Sequence, residues 1–368
     1  MSDFLKGKDY NEYFEKLNNR LNSTESLGRQ PVKKTPEPKR GIYKTIKIKK
    51  SFYIAALAVI LSLILLIAFT SKGCSDTKAN AEKPDYVGSV TPEKEEKEIK
   101  IAYTEDFVVE DIPETNDADS VIVIRKSDNK IIAQRNPHKV IHPASTLKIM
   151  TLLTAVDYIT DYNDTFTMSL KITDPLFIEK ASMAGFLRDE SITMTDLIYG
   201  MILPSGAEAA MGLAVKIAGS EEAFVELMNQ KAKRMGLENS HFANVTGLHH
   251  EENYSTAYDM AVIIDHAYQN EFCRKVLSTF KYTTSETEQN PKGIELKSTL
   301  FSHMYGTEPE TATILGGKTG FVNEAGYCIA SFGQNLDKTE DYIVVTMGNS
   351  SIWPAIRGQI ELYKQFAK

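Results

Sequence analysis

The chain has 368 residues, of which 42% are hydrophobic and 25% are charged, as in a globular protein with a sizeable core. Residues 1–50 hold 13 Lys/Arg against 6 Asp/Glu, a net of +7, so the remaining residues carry a net −14 and the whole chain −7. Because the basic part is short and adjoins an apolar run, this asymmetry indicates two compartments and argues against a nucleic-acid partner. Cys74, Cys273 and Cys328 are too few and too scattered to predict a disulfide framework or a metal site.

An uncharged, proline-free run extends from Phe52 to Phe69. As a helix its 18 residues would span about 27 Å, close to the ~30 Å hydrocarbon core of a bilayer. A soluble core helix of this length would need a polar face, and a cleaved signal peptide would have a shorter basic leader. We therefore predict one transmembrane helix over residues 51–70, in contact with lipid through residues 52–69. The excess of Lys/Arg before it marks residues 1–50 as a cytoplasmic tail and places the rest of the chain outside the membrane.

Residues 71–118 are acidic, poor in large apolar residues and without periodicity, which predicts an extended extracytoplasmic stalk. The folded domain is predicted to occupy residues 119–368. It begins with Ser120–Arg125 and Ile131–Gln134, which flank a turn-rich tetrapeptide and predict a β-hairpin. A helix pattern follows from about Ser145 to Ile159, with apolar residues on one face.

More helices are predicted in the middle of the chain, and paired strands followed by a last helix near its end. The predicted helices are 194–202, 206–218, 221–235, 256–269 and 353–367, and the predicted strands are Ala325–Phe332 and Tyr342–Thr346. Gly219 and Gly236 would close two of these helices in the left-handed conformation. Strands at both ends with helices between them predict one α+β domain in which the two ends share a sheet.

The motif Ser-x-x-Lys places a serine hydroxyl and a lysine amine on one face of a helix, where a lysine of lowered pKa can take the serine proton. The chain contains four copies, beginning at Ser75, Ser127, Ser145 and Ser278. Only the copy at Ser145 opens a strongly apolar predicted helix. Its residues alone leave two interpretations, a nucleophile activated by Lys148 or a capping serine followed by a surface lysine.

Two further motifs carry hydroxyl and amine groups. Lys318-Thr319-Gly320 follows two glycines and precedes a predicted strand, so that a substrate backbone can approach closely while the lysine and the hydroxyl hold a carboxylate. The alternative for this tripeptide is a simple turn. Leu203-Pro204-Ser205-Gly206 lies between two predicted helices, where Ser205 would either pass a proton to a leaving group or cap the helix that follows.

In this order, Ser-x-x-Lys, Ser-Gly and Lys-Thr-Gly resemble the motifs of the penicillin-binding proteins and serine β-lactamases. The chain is most similar to the D-alanyl-D-alanine carboxypeptidases of bacterial cell walls, over roughly residues 119–368. The similar blocks are Pro143-Ala-Ser-Thr-Leu-Lys148, Asp196-Leu-Ile-Tyr-Gly200, Leu203-Pro-Ser-Gly206, Asn239-Ser-His-Phe-Ala-Asn244, Thr246-Gly-Leu248, Tyr254-Ser-Thr-Ala-Tyr-Asp259, and Gly317-Lys-Thr-Gly320 with Glu324-Ala-Gly-Tyr327. The resemblance implies an antiparallel sheet with helices on both sides and a helical subdomain, in a bacterial membrane protein whose catalytic domain is extracytoplasmic.

The resemblance also implies a role for each motif in a serine carboxypeptidase that acts on peptidoglycan stem peptides ending in D-Ala-D-Ala. Ser145 would attack the carbonyl between the two D-alanines with Lys148 as its base, and Ser205 would relay a proton. The substrate-binding positions would be Lys318, Thr319, Gly320 and Phe321. The backbone N–H groups of Ser145 and Phe321 would form an oxyanion hole. β-Lactams would be inhibitors, and neither a cofactor nor a metal is implied.

One position departs from the family pattern, because Ala207 stands where the family usually has the asparagine of Ser-x-Asn. Alanine cannot hydrogen-bond the substrate amide or the catalytic lysine, so Glu208 or another group would have to substitute. Two alternatives to the carboxypeptidase stay open: a β-lactamase, which shares fold and nucleophile, and, because of Ala207, a weakly active or silent peptidoglycan- or penicillin-binding protein. His142, His249 and His250 are predicted to lie in loops rather than to ligate a metal.

Overall fold

The computed structural model of the chain describes residues 100–304, 306–307 and 309–368. The predicted cytoplasmic tail, the predicted transmembrane helix at 51–70 and most of the predicted stalk at 71–118 lie outside these residues. Within the described ranges, no helix is both long enough and apolar enough to cross a bilayer.

One main sheet and two short strand pairs contain all the described strands. The strands are β1 (Thr104–Asp111), β2 (Ser120–Arg125), β3 (Lys130–Arg135), β4 (Thr165–Thr167), β5 (Ser191–Thr193), β6 (Lys281–Thr283), β7 (Glu295–Lys297), β8 (Ala312–Val322), β9 (Gly326–Asn335) and β10 (Asp341–Asn349). The main sheet has the order β1-β3-β2-β10-β9-β8, and β4 pairs with β5 and β6 with β7. The two ends of the domain therefore share this sheet, as predicted, and β8 lies at one edge of it.

The sheet begins earlier in the chain than the sequence predicted. Residues 104–111, which were assigned to the extended stalk, form β1 and pair with β3. This pair is parallel, whereas the other neighbouring pairs of the main sheet are antiparallel. Most side chains of β1 are exposed, so its composition does not distinguish it from a solvated spacer. The stalk prediction is wrong for these residues, and the sheet is not wholly antiparallel.

Helices fill most of the chain between β3 and β8, and one more follows β10. They are α1 (Lys148–Tyr158), α2 (Leu170–Ile178), α3 (Met194–Ile202), α4 (Ala207–Ala218), α5 (Glu221–Met235), α6 (Ala257–Gln269), α7 (Glu271–Leu277), α8 (Thr299–Met304) and α9 (Ile352–Phe366). The predictions for α3 to α6 and α9 are confirmed to within one residue at each end. Gly219 and Gly236 close α4 and α5 with φ of 84° and 80°, as the left-handed caps predicted there require.

Both faces of the main sheet are covered, which explains the uninterrupted apolar run of β2. Val121 and Val123 face a core that includes residues of α8 and α9, whereas Ile122 and Ile124 face a larger core that includes residues of α1 to α7. Successive side chains of a strand point to opposite faces, so a strand buried on both sides is apolar throughout. The expected α+β fold with helices on both sides of a sheet is confirmed.

The tripeptide Lys318-Thr319-Gly320 lies inside β8 rather than in a turn. The strand was not predicted because Gly316, Gly317 and Gly320 interrupt its apolar pattern. Packing explains these glycines. A Cβ at Gly316 would lie 2.5 Å from the ring of Phe332 in the neighbouring strand β9. The close approach of the two strands therefore requires a residue without a side chain there.

Candidate active site

Ser145 lies in a short 3₁₀ turn, Ala144–Leu147, that leads directly into α1. The predicted helix thus begins three residues after the serine, at Lys148. Ala144 has a φ of 50°, a left-handed conformation that alanine rarely adopts. The hydroxyl of Thr146 donates to the carbonyl of Pro143 at 2.5 Å and stabilises the turn. The residue before Ser145 is therefore held in a strained backbone conformation, as is common at functional sites.

Lys148 is the first residue of α1 and is 1% exposed. Its Nζ lies 3.2 Å from the Ser145 Oγ and donates to the Thr246 carbonyl at 2.5 Å. Burial lowers the pKa of Lys148 to about 7, and the Glu208 carboxylate opposes this effect only in part. A neutral amine at hydrogen-bond distance from a serine hydroxyl is arranged to accept its proton.

Lys318 enters the same region from β8 and is also 1% exposed. Its Nζ donates to the carbonyl of Thr319 at 2.8 Å. Burial lowers the pKa of Lys318 well below its usual range, and repulsion from Lys148 lowers it further. Two amines that repel each other in a buried region would both be stabilised in the charged form by an incoming anion. The region is therefore suited to bind a carboxylate.

Two glycines allow neighbouring segments to close on the turn that carries Ser145. A Cβ at Gly320 in β8 would lie 2.7 Å from the Ser145 N and 2.8 Å from the Thr146 N. On another side, a Cβ at Gly247 would lie 2.1 Å from the Ala144 O. The glycines of the Lys-Thr-Gly and Thr-Gly-Leu blocks are thus required by the close packing around the serine.

Thr299, at the start of α8, joins the turn that carries Ser205 to β8. The Thr299 N–H donates to the Leu203 carbonyl at 3.0 Å, and its hydroxyl lies 2.7 Å from that of Thr319. Ser205 is 5% exposed and has a φ of 67°. Its Oγ has no hydrogen-bond partner within the described residues. A buried hydroxyl without a protein partner is costly, so the Ser205 Oγ is available to a hydrogen-bond partner from outside the protein.

Ala207 is buried, and its N–H donates to the carbonyl of Ser182 at 2.8 Å. Beside it, the Oε1 of Glu208 accepts from the N–H groups of residues 184–186 at 2.7, 2.8 and 3.3 Å. Desolvation raises the pKa of Glu208. Glu208 therefore does not replace the amide donor of an asparagine. It holds the segment 184–186 and acts on Lys148 through its charge.

Phe321, the residue after Lys-Thr-Gly, is 47% exposed. Its ring stacks on that of Tyr327 with the ring centroids 4.3 Å apart, and the two residues pair across β8 and β9. Gly320, its neighbour in β8, contacts the turn that carries Ser145. The two rings therefore form an exposed aromatic surface next to that turn.

Sequence reasoning did not identify Thr246, Thr299 or His142 as parts of this site. Thr246 contributes only a backbone carbonyl, so the Thr246-Gly-Leu248 block did not indicate that it contacts Lys148, and Thr299 lies outside the similar blocks. His142 lies in a loop, as predicted, but its Nδ1 accepts from the Ala144 N–H at 3.0 Å. The only sequence signal for it was its position three residues before Ser145. Among the described residues, no group of His, Cys, Asp and Glu is arranged to hold a metal ion.

The chain is similar to known proteins both in sequence and in fold. The sequence profile of the D-alanyl-D-alanine carboxypeptidases, peptidase family S11, matches residues 107–351, which is more than half of the chain. The chain belongs to this family. As a member of peptidase family S11, it has the Ser-x-x-Lys, Ser-Gly and Lys-Thr-Gly motifs within the matched residues.

Characterised relatives include D-alanyl-D-alanine carboxypeptidases of both Bacillus and Escherichia. The protein is 32% identical to carboxypeptidase DacF of Bacillus subtilis strain 168 over 222 residues, which are 59% of this chain and 54% of that relative. It is 28% identical to DacD of Escherichia coli K12 over 249 residues, which are 64% of this chain and 59% of DacD. The chain thus spans only a little over half the length of these relatives.

Solved structures of similar fold include the Streptomyces K15 DD-transpeptidase. A serine-to-alanine variant of that enzyme superposes on this chain with a TM-score of 0.61 and 25% sequence identity. The superposition covers 68% of this chain and 98% of the transpeptidase. Penicillin-binding protein 5 of Haemophilus influenzae superposes on this chain with a TM-score of 0.59 and 26% sequence identity. The superposition covers 69% of this chain and 70% of the Haemophilus protein. This member of family S11 therefore has the DD-peptidase fold.

Proposed function

We propose that this chain is a serine-type D-Ala-D-Ala carboxypeptidase that removes the terminal D-alanine of peptidoglycan stem peptides. The observation that carries the proposal is the pairing of the Ser145 Oγ with the Lys148 Nζ, 3.2 Å apart in a buried site that lowers the pKa of the lysine to about 7. Membership of family S11 supports the same reaction.

Acylation would begin with transfer of the Ser145 proton to the neutral Lys148 amine, while Oγ forms a bond to the carbonyl carbon between the two D-alanines. The backbone N–H groups of Ser145 and Phe321 would stabilise the oxyanion that forms. As the C–N bond breaks, the proton passes from Lys148 through the Ser205 hydroxyl to the leaving amine, and free D-alanine departs. The unpartnered Ser205 Oγ supports this relay.

Binding at a chain end would depend on the carboxylate of the last D-alanine. That group would lie between the Lys318 amine and the Thr319 hydroxyl and would favour the protonated form of Lys318. The stem peptide would extend along β8, whose outer backbone groups are free because the strand is at the edge of the sheet. An internal peptide bond would have no carboxylate to place between the Lys318 amine and the Thr319 hydroxyl, so we expect a preference for the terminal residue.

Deacylation would use water in place of the departed amine. Lys148 takes a proton from the water, the resulting hydroxide attacks the ester carbonyl, and the bond between Ser145 Oγ and the acyl carbon breaks. Lys148 returns its proton to the Ser145 Oγ, which restores both groups, and the shortened peptide leaves with a new carboxylate. This scheme is complete with side chains of the protein and needs no cofactor.

The proposal is tested by mixing the full-length chain with a tripeptide that ends in D-Ala-D-Ala and measuring the release of D-alanine. We expect release by the parent and by Ser127→Ala, whose serine belongs to another Ser-x-x-Lys copy and binds Glu340 instead. We expect no release by Ser145→Ala. Absence of release from a folded parent, or equal release from Ser145→Ala, would refute the assignment.

Ala207 supports a second candidate function, a penicillin-binding protein of this family with little turnover. The position is buried and has no side-chain amide to hold a substrate or the lysine. If this absence limits turnover, Ala207→Asn should raise D-alanine release by about 10²–10³-fold, the size of the loss caused by removing one oxyanion donor. A fall or no change would remove that explanation. A β-lactamase would hydrolyse a labelled penicillin quickly. A label that instead stays bound to Ser145 would favour the carboxypeptidase or the penicillin-binding protein with little turnover.

We further propose that β-lactams inhibit the protein by acylating Ser145. A separate proposal concerns location: a helix at residues 51–70 anchors the protein in a bacterial membrane. The apolar run from Phe52 to Phe69 and the lysines before it support this placement, with the N-terminus in the cytoplasm. The catalytic domain would then be extracytoplasmic, where peptidoglycan lies. Extraction of the full-length chain by detergent but not by alkaline carbonate would test the anchor.

A further inference from the structure

The imidazole of His142 lies between the turn that carries Ser145 and the loop that follows Asn244. Its Nδ1 accepts from the Ala144 N–H at 3.0 Å. A neutral imidazole has one acceptor nitrogen, so when Nδ1 accepts, Nε2 carries the proton; the imidazole also forms a hydrogen bond with the Leu248 backbone. The His250 N–H lies 3.4 Å from Nε2, a longer contact than the 3.0 Å between the Ala144 N–H and Nδ1, so we assign Nδ1 as the acceptor of the ring. One ring therefore connects the backbone on both sides.

The loop on the second side positions the base. Lys148 donates to the Thr246 carbonyl, and the Leu248 carbonyl also accepts from the side chains of Asn244 and Asn253 at 3.0 and 3.1 Å. Close contact between Gly247 and the Ala144 carbonyl brings this loop against the nucleophile turn. The loop is thus rigidly held at the point where it meets the His142 ring.

The backbone beside His142 is held as well. Ile141 and Ser255 exchange two hydrogen bonds of 2.9 and 3.0 Å, so the ring projects from a fixed position. On the other side of the ring, Ala144 has the strained φ of 50° described above. A strained residue needs surrounding contacts to stay in place, and the hydrogen bond from its N–H to His142 is one of them.

We propose that His142 is a positioning residue for acylation, which holds the Ser145 turn in register with the Lys148 site by accepting the Ala144 N–H through Nδ1. The inference rests on the proposed function for its effect on rate, but the hydrogen bond itself can be tested without turnover. His142 forms a hydrogen bond with the Ala144 N–H and not with the Ser145 Oγ, so we assign it an effect on geometry alone.

The ring must stay neutral to accept this hydrogen bond. Burial, aided by repulsion from His249 and His250 and opposed by Glu324, lowers the pKa of His142 to about 4. His249 lies with its ring centroid 5.5 Å from that of His142, and its Nδ1 is 3.7 Å from the Glu324 carboxylate. His142 is therefore neutral wherever Lys148 is able to act as a base.

The test compares two amide variants that imitate different nitrogens of the ring. In His142→Asn the side-chain oxygen can take the place of Nδ1, whereas in His142→Gln the amide reaches the position of Nε2 and leaves the Ala144 N–H without its acceptor. The matched control is His249→Asn, which removes the neighbouring imidazole and leaves both hydrogen bonds of His142. All variants are made in the full-length chain.

Two readouts are measured, the saturable acylation of Ser145 by a fluorescent penicillin and the hydrogen exchange of the Ala144 amide in protein labelled with ¹⁵N-alanine. We expect His142→Gln to lower the limiting acylation rate about 10- to 100-fold, because a small misplacement of reacting groups has an effect of that size. The penicillin concentration that gives half of the limiting rate should not change. We expect His142→Asn and His249→Asn to keep most of the parent rate. The Ala144 amide should exchange fast only in His142→Gln.

Slow exchange of the Ala144 amide in His142→Gln would overturn the inference, whether or not the parent is active. Equal losses of rate in the Asn and Gln variants, together with equal losses of thermal stability, would also overturn it, because they would show a structural role only. If the parent reacts with no penicillin but its Ala144 amide shows the expected pattern, the proposed function fails and the assigned hydrogen bond stands.

Discussion

The Lys148 amine is surrounded by protein rather than by water, and this has opposite effects on reactivity and on stability. Burial lowers the pKa from 10.5 in an unfolded chain to about 7. The unfolded chain therefore binds the proton more tightly, so the cost in stability is greatest below pH 7, decreases as pH rises, and is absent above 10.5. The same shift makes a neutral amine available near neutral pH, as a general base requires.

The pH dependence of acylation follows from this shift. Because only the neutral amine can take the Ser145 proton, the rate should fall about tenfold for each pH unit below the pKa of Lys148 and level off above it. The measurement is the acylation rate by a fluorescent penicillin at pH values on both sides of 7. A rate that stays constant as pH falls through that region would show that Lys148 is not the base.

Glu208 should tune this profile. Its charge favours the protonated form of Lys148, so Glu208→Gln should shift the midpoint of the acylation profile to lower pH. The amide oxygen of glutamine can still accept from the N–H groups of residues 184–186. Glu208→Ala removes that acceptor and should also lower the free energy of unfolding by about 1–3 kcal/mol, measured with urea.

Glu190→Gln is the matched control for Glu208→Gln. Glu190 is also buried and accepts from the Leu187 N–H at 2.7 Å and from the side chains of Thr287 and Asn290. The carboxylate that acts on the pKa of Lys148 is that of Glu208, so Glu190→Gln should affect stability and leave the midpoint unchanged. Equal shifts of the midpoint in both variants would contradict an electrostatic action of Glu208.

At the scale of elements, the site depends on how closely β8 and the loop after Asn244 approach the 3₁₀ turn before α1. No side chain is present at Gly247 or Gly320, where these segments meet the turn. A helix can place Ser145 and Lys148 on one face, but it cannot supply the contacts on the other sides of the turn. Those contacts come from segments far away in the sequence.

Substitution of Gly247 by alanine should show the importance of this approach. The new Cβ would lie 2.1 Å from the Ala144 O at a φ of 72°. We expect the free energy of unfolding to fall by about 3 kcal/mol or more and the acylation rate to fall about 100-fold. Urea unfolding and penicillin acylation measure the two effects.

Gly219→Ala controls for left-handed backbone strain alone. Gly219 has a φ of 84° at the end of α4, and a Cβ there would meet nothing within 4 Å. Its substitution should lower the free energy of unfolding by only about 1–2 kcal/mol and leave acylation unchanged. If Gly247→Ala behaved in the same way, steric pressure on the nucleophile turn would not explain that glycine.

At the scale of the whole molecule, a buried cluster around Asp265 joins the start of the described chain to the sheet and the helices. Asp265 in α6 is fully buried and accepts from the Tyr103 hydroxyl at 2.8 Å and from the Lys126 Nζ at 2.5 Å. Tyr103 precedes β1, and Lys126 follows β2. Three distant parts of the chain thus meet at one carboxylate.

Removal of Asp265 should therefore destabilise the fold as a whole. Asp265→Ala removes the carboxylate that pairs with the largely buried Lys126 ammonium and leaves it only the Asn129 side-chain oxygen, so it should lower the free energy of unfolding by about 3–5 kcal/mol. Tyr103→Phe removes a single hydroxyl and should cost about 1 kcal/mol, and less in the Asp265→Ala background. Urea unfolding of the two single variants and the double variant gives these values. Strictly additive effects would contradict a shared cluster.

Helix periodicity and glycine caps were sufficient to predict α3 to α6, because these signals are local. The choice of Ser145 from four Ser-x-x-Lys copies was also local, since only that copy opens an apolar helix. In the structure, Ser127 contacts Glu340 through its backbone N–H and hydroxyl, and Ser278 ends α7. The strands β1 and β8 were not predicted, because exposed side chains in one and glycines in the other conceal pairing that depends on distant partners.

The motifs, the family resemblance and the placement of Ser145 three residues before Lys148 at the start of a helix could be predicted from the sequence alone. This was possible because such spacing follows from local backbone geometry. Only the tertiary structure decided that Lys148 loses its solvation, that Glu208 binds residues 184–186, and that His142 accepts from the nucleophile turn. The carbonyl that binds Lys148 is 98 residues away in the chain. Burial and electrostatics depend on such distant groups, so no local pattern contains them.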